Sequence, residues 1–282
     1  MDRIRKALDL ARQERNRSSE PESLTPTSTL TPTPRSPPST AKAPRKLLAR
    51  IEYTNTRVFT ADPKALESKR IVNPSSGDPA AAAFRMLRTQ VLQRMDENGW
   101  RTLAILSAGP NDGKTTTAIN LAISLANDHH HTVLLVDCDL KQPMVGANLG
   151  IDAEFGVDDI LRGEAEIDQC LYHPEGYDRL VVLPARAPLA NSSEALAGPH
   201  GRALIADMRN RYPERIMVFD LPPVLGADDA LAFLPSLDCG LIVVAERGTR
   251  RDDLLRCMEL LRKTPILGTV LNKATDVAST YG

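Results

Sequence analysis

The chain is poor in cysteine, has almost no net charge and contains no long apolar run. Each shortage removes a class of protein. Cys138, Cys170, Cys239 and Cys257 are scattered through 282 residues with no C-x-x-C pair. This argues against a disulfide scaffold or a zinc site and suits a reducing compartment. The formal net charge is −1, so no bulk electrostatic pull toward nucleic acid is expected. No apolar stretch approaches the roughly 18–20 residues of a membrane helix. The opening residues, Met1-Asp2-Arg3-Ile4-Arg5-Lys6, lack the apolar core of a signal peptide. The expectation is a cytoplasmic protein with no transmembrane segment of its own, peripheral at a membrane only through a partner.

What is present changes sharply along the chain. Residues 1–17 (MDRIRKALDLARQERNR) place Ile4, Leu8 and Ala11 on one face of an amphipathic helix. A docking helix and a solvated helix fit that stripe equally well. Residues 18–45 are a Pro/Ser/Thr-rich linker with little to bury, expected to be disordered. Residues 46–275 have globular composition, and 276–282 read as a flexible tail.

One stretch organises the globular part: Ala108-Gly109-Pro110-Asn111-Asp112-Gly113-Lys114-Thr115. It follows the phosphate-binding pattern G-x-x-x-x-G-K-[ST], with Ala108 at the first glycine position. The strand-like TLAILS (102–107) precedes it, and a helical run over 116–126 follows. A loop of small side chains lets backbone N–H groups wrap a polyphosphate, and the helix start adds its free donors and positive dipole end. Lys114 would then reach the outer phosphates, and the Thr115 hydroxyl would ligate Mg²⁺.

Other segments surround this unit. Residues 51–61 have strand character. Residues 78–95 read as a helix with Asp78 as N-cap and Pro79 at its first position. Arg85 and Arg88 lie three apart on it; they could clamp a carboxylate on another subunit, though the spacing alone favours a solvated basic face. TVLLV (132–136) is a buried-type strand closed by Asp137-Cys138-Asp139, whose two carboxylates should project to one side and be joined by a cation. IMVF (216–219) is another, closed by Asp220 in the manner of a Walker B strand. Further strands fall at 180–183, 241–245 and 267–271, and helices at 193–211 (interrupted near Gly198-Pro199) and 250–263. Asn272 ends the last strand, where its amide could contact a nucleobase. His129, His130 and His131 are adjacent, which spreads their side chains and disfavours a metal site. The alternation implies an α/β fold: a doubly wound, mainly parallel sheet of the P-loop NTPase type, behind a disordered N-terminal extension.

The segments FRMLRTQVLQRM (84–95), LSAGPNDGKTTTAINLA (106–122), VLLVDCDLKQP (133–143), VFDLPPVLGADDALAF (218–233) and LGTVLNKA (267–274) carry a resemblance. The chain resembles the bacterial P-loop tyrosine kinases of capsule and exopolysaccharide synthesis, most of all the exosortase-associated autokinases. The resemblance implies an ATP- and Mg²⁺-dependent protein-tyrosine autokinase that regulates polysaccharide assembly. It implies residues 108–116 and Asn272 as nucleotide contacts. It also implies Thr115, Asp139 and Asp220 as metal ligands, and Lys114, Asp137, Asp139 and Asp220 as the catalytic set, with Asp137 as base. It further implies a homo-oligomer and a membrane polysaccharide co-polymerase, or chain-length determinant, as activator. Departures from the pattern are Lys141 for an arginine, Ala82 for the glutamate of the family's oligomerisation helix, and a tail with only Tyr281. Tyr281 is the candidate autophosphorylation site. Two other readings stand beside the kinase: a partition-type ATPase switch of the same fold, and a catalytically weak nucleotide-binding regulator. Gly109, where such switches carry lysine, favours the kinase.

Overall fold

The structure is a computed structural model that describes residues 56–211 and 214–275. The expected N-terminal helix, the linker and the tail with Tyr281 lie outside the described residues, as do residues 51–55 of the first expected strand.

Eight strands form a single sheet. In chain order they are β1 (Arg57–Phe59), β2 (Thr102–Ser107), β3 (Thr132–Asp137), β4 (Tyr172–Pro174), β5 (Leu180–Leu183), β6 (Arg215–Asp220), β7 (Cys239–Ala245) and β8 (Ile266–Asn272). Their order across the sheet is β1-β4-β5-β3-β6-β2-β7-β8. All pairings are parallel except β4 with β5, which meet antiparallel at Tyr172↔Val182. The sequence reading omits β4. Its three residues are too few for an alternating pattern, and they end in proline.

The helices are α1 (Pro63–Ser68), α2 (Pro79–Asn98), α3 (Lys114–Ala126), α4 (Val145–Leu149), α5 (Val157–Arg162), α6 (Ser192–Ala197), α7 (Pro199–Arg211), α8 (Asp229–Phe233) and α9 (Arg251–Leu260). Asp78 caps α2 as expected: its side chain accepts from Ala80 N at 2.8 Å, and Pro79 is the first helical residue. Gly99 ends the helix in the left-handed conformation, φ 68°.

Strand periodicity explains why helices cover both faces. Leu103, Ile105, Val133, Leu135, Ile216 and Val218 point into one core, shared with Val91 and Met95 of α2 and most of α3. Their neighbours Ala104, Leu106, Leu134, Val136, Met217 and Phe219 point into the other, shared with α5, α7, α8 and α9. A central strand buried on both sides must be apolar through its middle, as β2 is over 103–106 and β3 over 133–136. Burying each large aliphatic side chain contributes about 1.5–3 kcal/mol. Such a sheet brings the C-terminal ends of its parallel strands to one edge, and β3, β6 and β2 lie side by side there. Among the described residues no helix is long and apolar enough to cross a membrane.

Candidate functional site

The phosphate-loop sequence leaves β2 and turns into α3. Pro110 and Asn111 are exposed at its tip, while Ala108 and Asp112 are buried. Asn111 (φ 64°) and Gly113 (φ 90°) take the left-handed conformation that reverses the chain. No side chain caps the start of α3, so its first N–H groups keep the donor capacity that binds anions.

The loop is strapped from behind by two other segments, in three contacts. Asp112 Oδ1 accepts from Thr249 Oγ1 at 2.8 Å, just beyond β7. Lys273 Nζ donates to Asn111 O at 2.6 Å. Asn272 Nδ2 donates to Asp112 O at 2.9 Å. Asn272 therefore stands at the loop, its amide nitrogen bonded to the loop backbone. The parallel pairing of Ala245 with Asn272 carries it there. A Cβ on Gly113 would lie 1.9 Å from that nitrogen. Gly113→Ala should thus displace Asn272 as well as strain the backbone. We expect a loss of about 2–4 kcal/mol in urea unfolding, and wild-type stability would remove the strap. Beside the loop opens a cleft of about 1550 Å³, lined by Gly113, Thr116, Asn120 and Asn272 on one side and by residues 70–76 on the other. Asn120 of α3 holds that second wall, accepting from Val72 N at 2.7 Å and donating to Arg70 O at 2.9 Å.

Three carboxylates converge on the loop. Sheet register puts Asp137 directly opposite Asp220 on adjacent strand ends. Lys114 Nζ lies 2.9 Å from Asp220 Oδ1 and 3.1 Å from Asp139 Oδ2. The lysine is 7% exposed, so it is an interior cation and not the surface group that a loop position suggests. Burial opposes its charge, but Asp220 and Asp139 outweigh that and hold its pKa above the ordinary value.

The expectation that Asp137 and Asp139 project together from a strand is corrected. β3 stops at Asp137 and the chain turns. Asp139 N donates to Asp137 Oδ1 at 3.3 Å, and Asp139 Oδ1 accepts from Gln142 N at 3.3 Å. Asp137 Oδ2 accepts from Met144 N at 3.1 Å and Val145 N at 2.9 Å, at the start of α4. Burial, and then the charge of Asp220, push the Asp137 pKa well above the usual carboxylate range. Asp220 is raised too, by burial first, with Lys114 opposing the shift and the Thr115 side chain adding a lowering contact. Asp220 Oδ2 is buried and accepts no hydrogen bond among the described residues. Between them, burial and the flanking carboxylates raise the Cys138 thiol well above its usual range, which leaves it unreactive.

Among the described residues no three acidic, histidine or cysteine side chains are arranged to hold a metal ion by themselves; the two carboxylates at Lys114 supply part of a divalent-cation site of the kind that phosphate oxygens complete. One ammonium faces three carboxylates, so charge is left over, and the bare Asp220 oxygen supplies a ligand direction. Lys114 Nζ stands where positive charge is demanded.

The remaining candidates lie elsewhere. Arg85 donates to Pro74 O at 2.9 Å and Arg88 to Ser124 O at 3.0 Å, so both serve this chain's own packing. His131 Nδ1 meets Asp128 Oδ1 at 3.0 Å while His129 faces Arg179 at 3.5 Å, so the histidines diverge. Thr249, Lys273 and Asn120 had no sequence signal, because each acts only through contacts distant along the chain.

The AAA domain family matches residues 101–248. The tyrosine-protein kinase YwqD of Bacillus subtilis (strain 168) is 26% identical over 228 residues, covering 80% of this chain and 89% of its own length. The succinoglycan biosynthesis transport protein ExoP of Rhizobium meliloti (strain 1021) is 32% identical over 220 residues, 74% of this chain but 26% of that protein. The crystal structure of the VpsO kinase domain superposes with a TM-score of 0.62 at 30% identity, covering 69% of this chain and 95% of that domain. The P-loop fold of this chain is one that binds nucleotide. The chain belongs to the AAA-domain P-loop family and, within it, to the bacterial tyrosine-protein kinases.

Proposed function

We propose that the chain is an ATP- and Mg²⁺-dependent protein-tyrosine kinase acting in exopolysaccharide or capsule assembly. The observation that carries this reading is Lys114 held between Asp139 and Asp220 beside the buried, high-pKa Asp137. In the reaction, the tyrosine Oη–phosphorus bond forms and the bond from the γ-phosphorus to the β,γ-bridging oxygen breaks. ADP leaves, and the phenolic proton passes to a carboxylate. Asp137 is the base that suits this step, because burial and the neighbouring Asp220 charge raise its pKa and make it a stronger proton acceptor than an ordinary carboxylate. Backbone donors from Met144 and Val145 fix its orientation. Lys114 and the N–H groups of α3 neutralise the outer phosphates. Thr115, Asp139 and Asp220 would hold Mg²⁺, which supplies charge neutralisation and alignment of the phosphates when bound. The cleft beside Gly113 and Thr116 has room for the nucleoside.

Names among the relatives support the biological setting: ExoP is a succinoglycan biosynthesis transport protein. A membrane polysaccharide co-polymerase is the activator this reading requires, which would hold the chain at the inner face of the plasma membrane. Residues 46–275 would be the kinase domain, with 1–45 a helix and linker and 276–282 the tail.

Tyr281 is the acceptor we expect to be modified in trans, since transfer needs a hydroxyl free to reach within about 3–3.5 Å in line with the γ-phosphorus. Purified protein incubated with labelled ATP and the cytoplasmic piece of its co-polymerase should carry phosphate on Tyr281 by mass spectrometry. The label should vanish in Lys114→Met and return when that variant is mixed with wild type. An active ATPase that leaves Tyr281 and every supplied tyrosine unmodified would instead make the chain a nucleotide switch.

A further inference from the structure

The loops leaving β3 and β6 are joined by an ion pair that phosphate-loop chemistry does not require. Lys141 Nζ lies 3.1 Å from Asp229 Oδ2. The Asp229 side chain is 0% exposed, whereas that of Lys141 is 45% exposed. Neither Asp229 oxygen accepts an aligned hydrogen bond among the described residues. A carboxylate buried without donors is costly, so this ammonium is what compensates it. The neighbouring Asp228 is engaged separately, accepting from Ser193 Oγ at 3.0 Å. α8, which begins at Asp229, is pinned at its other end. Phe233 packs edge-on against Phe219 of β6, with ring centroids 5.7 Å apart. Asp229 is thus a fixed anchor, and it holds a flexible lysine in one place.

That place is the rim of the site. Lys141 is two residues beyond Asp139, whose carboxylate meets Lys114. The segment from Asp220 to Asp229 runs along the start of the phosphate loop, with Val224 N donating to Ser107 O at 2.9 Å and Leu225 N to Ala108 O at 3.2 Å. An ammonium has three donors, and the contact with Asp229 occupies one direction. The half-exposed side chain leaves the others room at the C-terminal edge of the sheet. During phosphoryl transfer, negative charge spreads over three equatorial oxygens, and a preplaced cation there stabilises the transition state more than the ground state.

We propose that Lys141 contacts the phosphoryl group in transfer and that Asp229 is the positioning residue that aims it. This rests on the phosphotransfer reading above.

The test uses full-length protein with Mg²⁺, ADP and aluminium fluoride, the last standing for the planar phosphoryl group. Lys141→Met should weaken binding of ADP–aluminium fluoride by about tenfold or more and leave ADP binding unchanged. Lys141→Arg, which restores the charge, should recover most of that loss. Asp229→Asn should reproduce the Lys141→Met effect, and the double variant should be no worse than Lys141→Met alone. Should Asp229→Asn fail to fold by thermal melting, the methionine and arginine pair at Lys141 decides alone. In tyrosine phosphorylation, Lys141→Met should lower kcat with the KM for ATP unchanged. Equal ADP–aluminium fluoride binding by wild type and Lys141→Met overturns the inference, as does a change confined to the acceptor KM. A wild type that phosphorylates no tyrosine overturns the kinase reading instead, and the aluminium fluoride comparison still reports on Lys141.

Discussion

Lys114→Met is expected to bring phosphotransfer to background and to destabilise the folded chain by about 3–5 kcal/mol at neutral pH. The first effect follows from losing a charge-assisted contact to the outer phosphates, which should weaken ATP binding by roughly tenfold or more. Losing charge stabilisation in the transition state should cost a further ~10²–10³ in turnover. The second effect follows from burial. The ammonium is 7% exposed and lies within 3.1 Å of both Asp139 and Asp220, so methionine leaves buried carboxylates facing one another. The pH dependence has a definite sign. Folded-state pKa values of Asp137 and Asp220 already stand above 3.8, and removing the cation raises them further. Between 3.8 and those raised values the folded state binds more protons than the unfolded state, so stability falls as pH rises through that window. The deficit of the variant should therefore be largest at neutral pH and shrink on acidification. Urea unfolding at two pH values checks this, together with ATP titration. A variant as stable as wild type at neutral pH would show that the ammonium is not part of the carboxylate cluster.

Asp220→Asn separates function from stability in the opposite sense. Turnover should fall by about 10²–10³, because the site loses a charged ligand for Mg²⁺ while keeping its shape. Stability should stay within about 1 kcal/mol of wild type. Burial raises the Asp220 pKa, so the folded state disfavours its ionised form, and asparagine removes that penalty above the unfolded-state value. It also removes a like charge beside Asp137. The lost attraction to Lys114 works against these gains, although Asp139 still holds that ammonium. Phosphorylation assays and thermal melts on the same preparation give both numbers. Full phosphorylation by Asp220→Asn would remove the Walker B role.

Much of the site could be read in the residues because its motifs are local. The loop from Ala108 to Thr115, the apolar run ending in Asp137 and the run ending in Asp220 each carry their signal within about ten residues. The cap at Asp78 and the break at Gly198-Pro199 are equally local, and α2 begins and α6 ends where those residues dictate. By contrast, β4 has no pattern of its own. It is a strand only because β1 and β5 offer it partners. The sequence puts Asn272 at the end of a strand, where β8 does end, but its partner, the Asp112 carbonyl, lies 160 positions away. Asp229 sat inside a recognised segment and still gave no hint of its role, since what defines it is burial against Lys141.

By itself, the sequence determined which residues are the candidates for the chemistry and that the strands carrying them are buried on both faces. Apolar periodicity and small loop residues are properties of short stretches, and they hold wherever those stretches are placed. Only the tertiary structure decided how the charges are shared. The order β3-β6-β2 sets three parallel strand ends side by side, and register puts Asp137 against Asp220. The turn after β3 then swings Asp139 toward Lys114 and leaves Asp137 on backbone donors. Which carboxylate meets the ammonium, and which keeps a raised pKa, depends on distance and burial, and neither exists until the sheet is assembled.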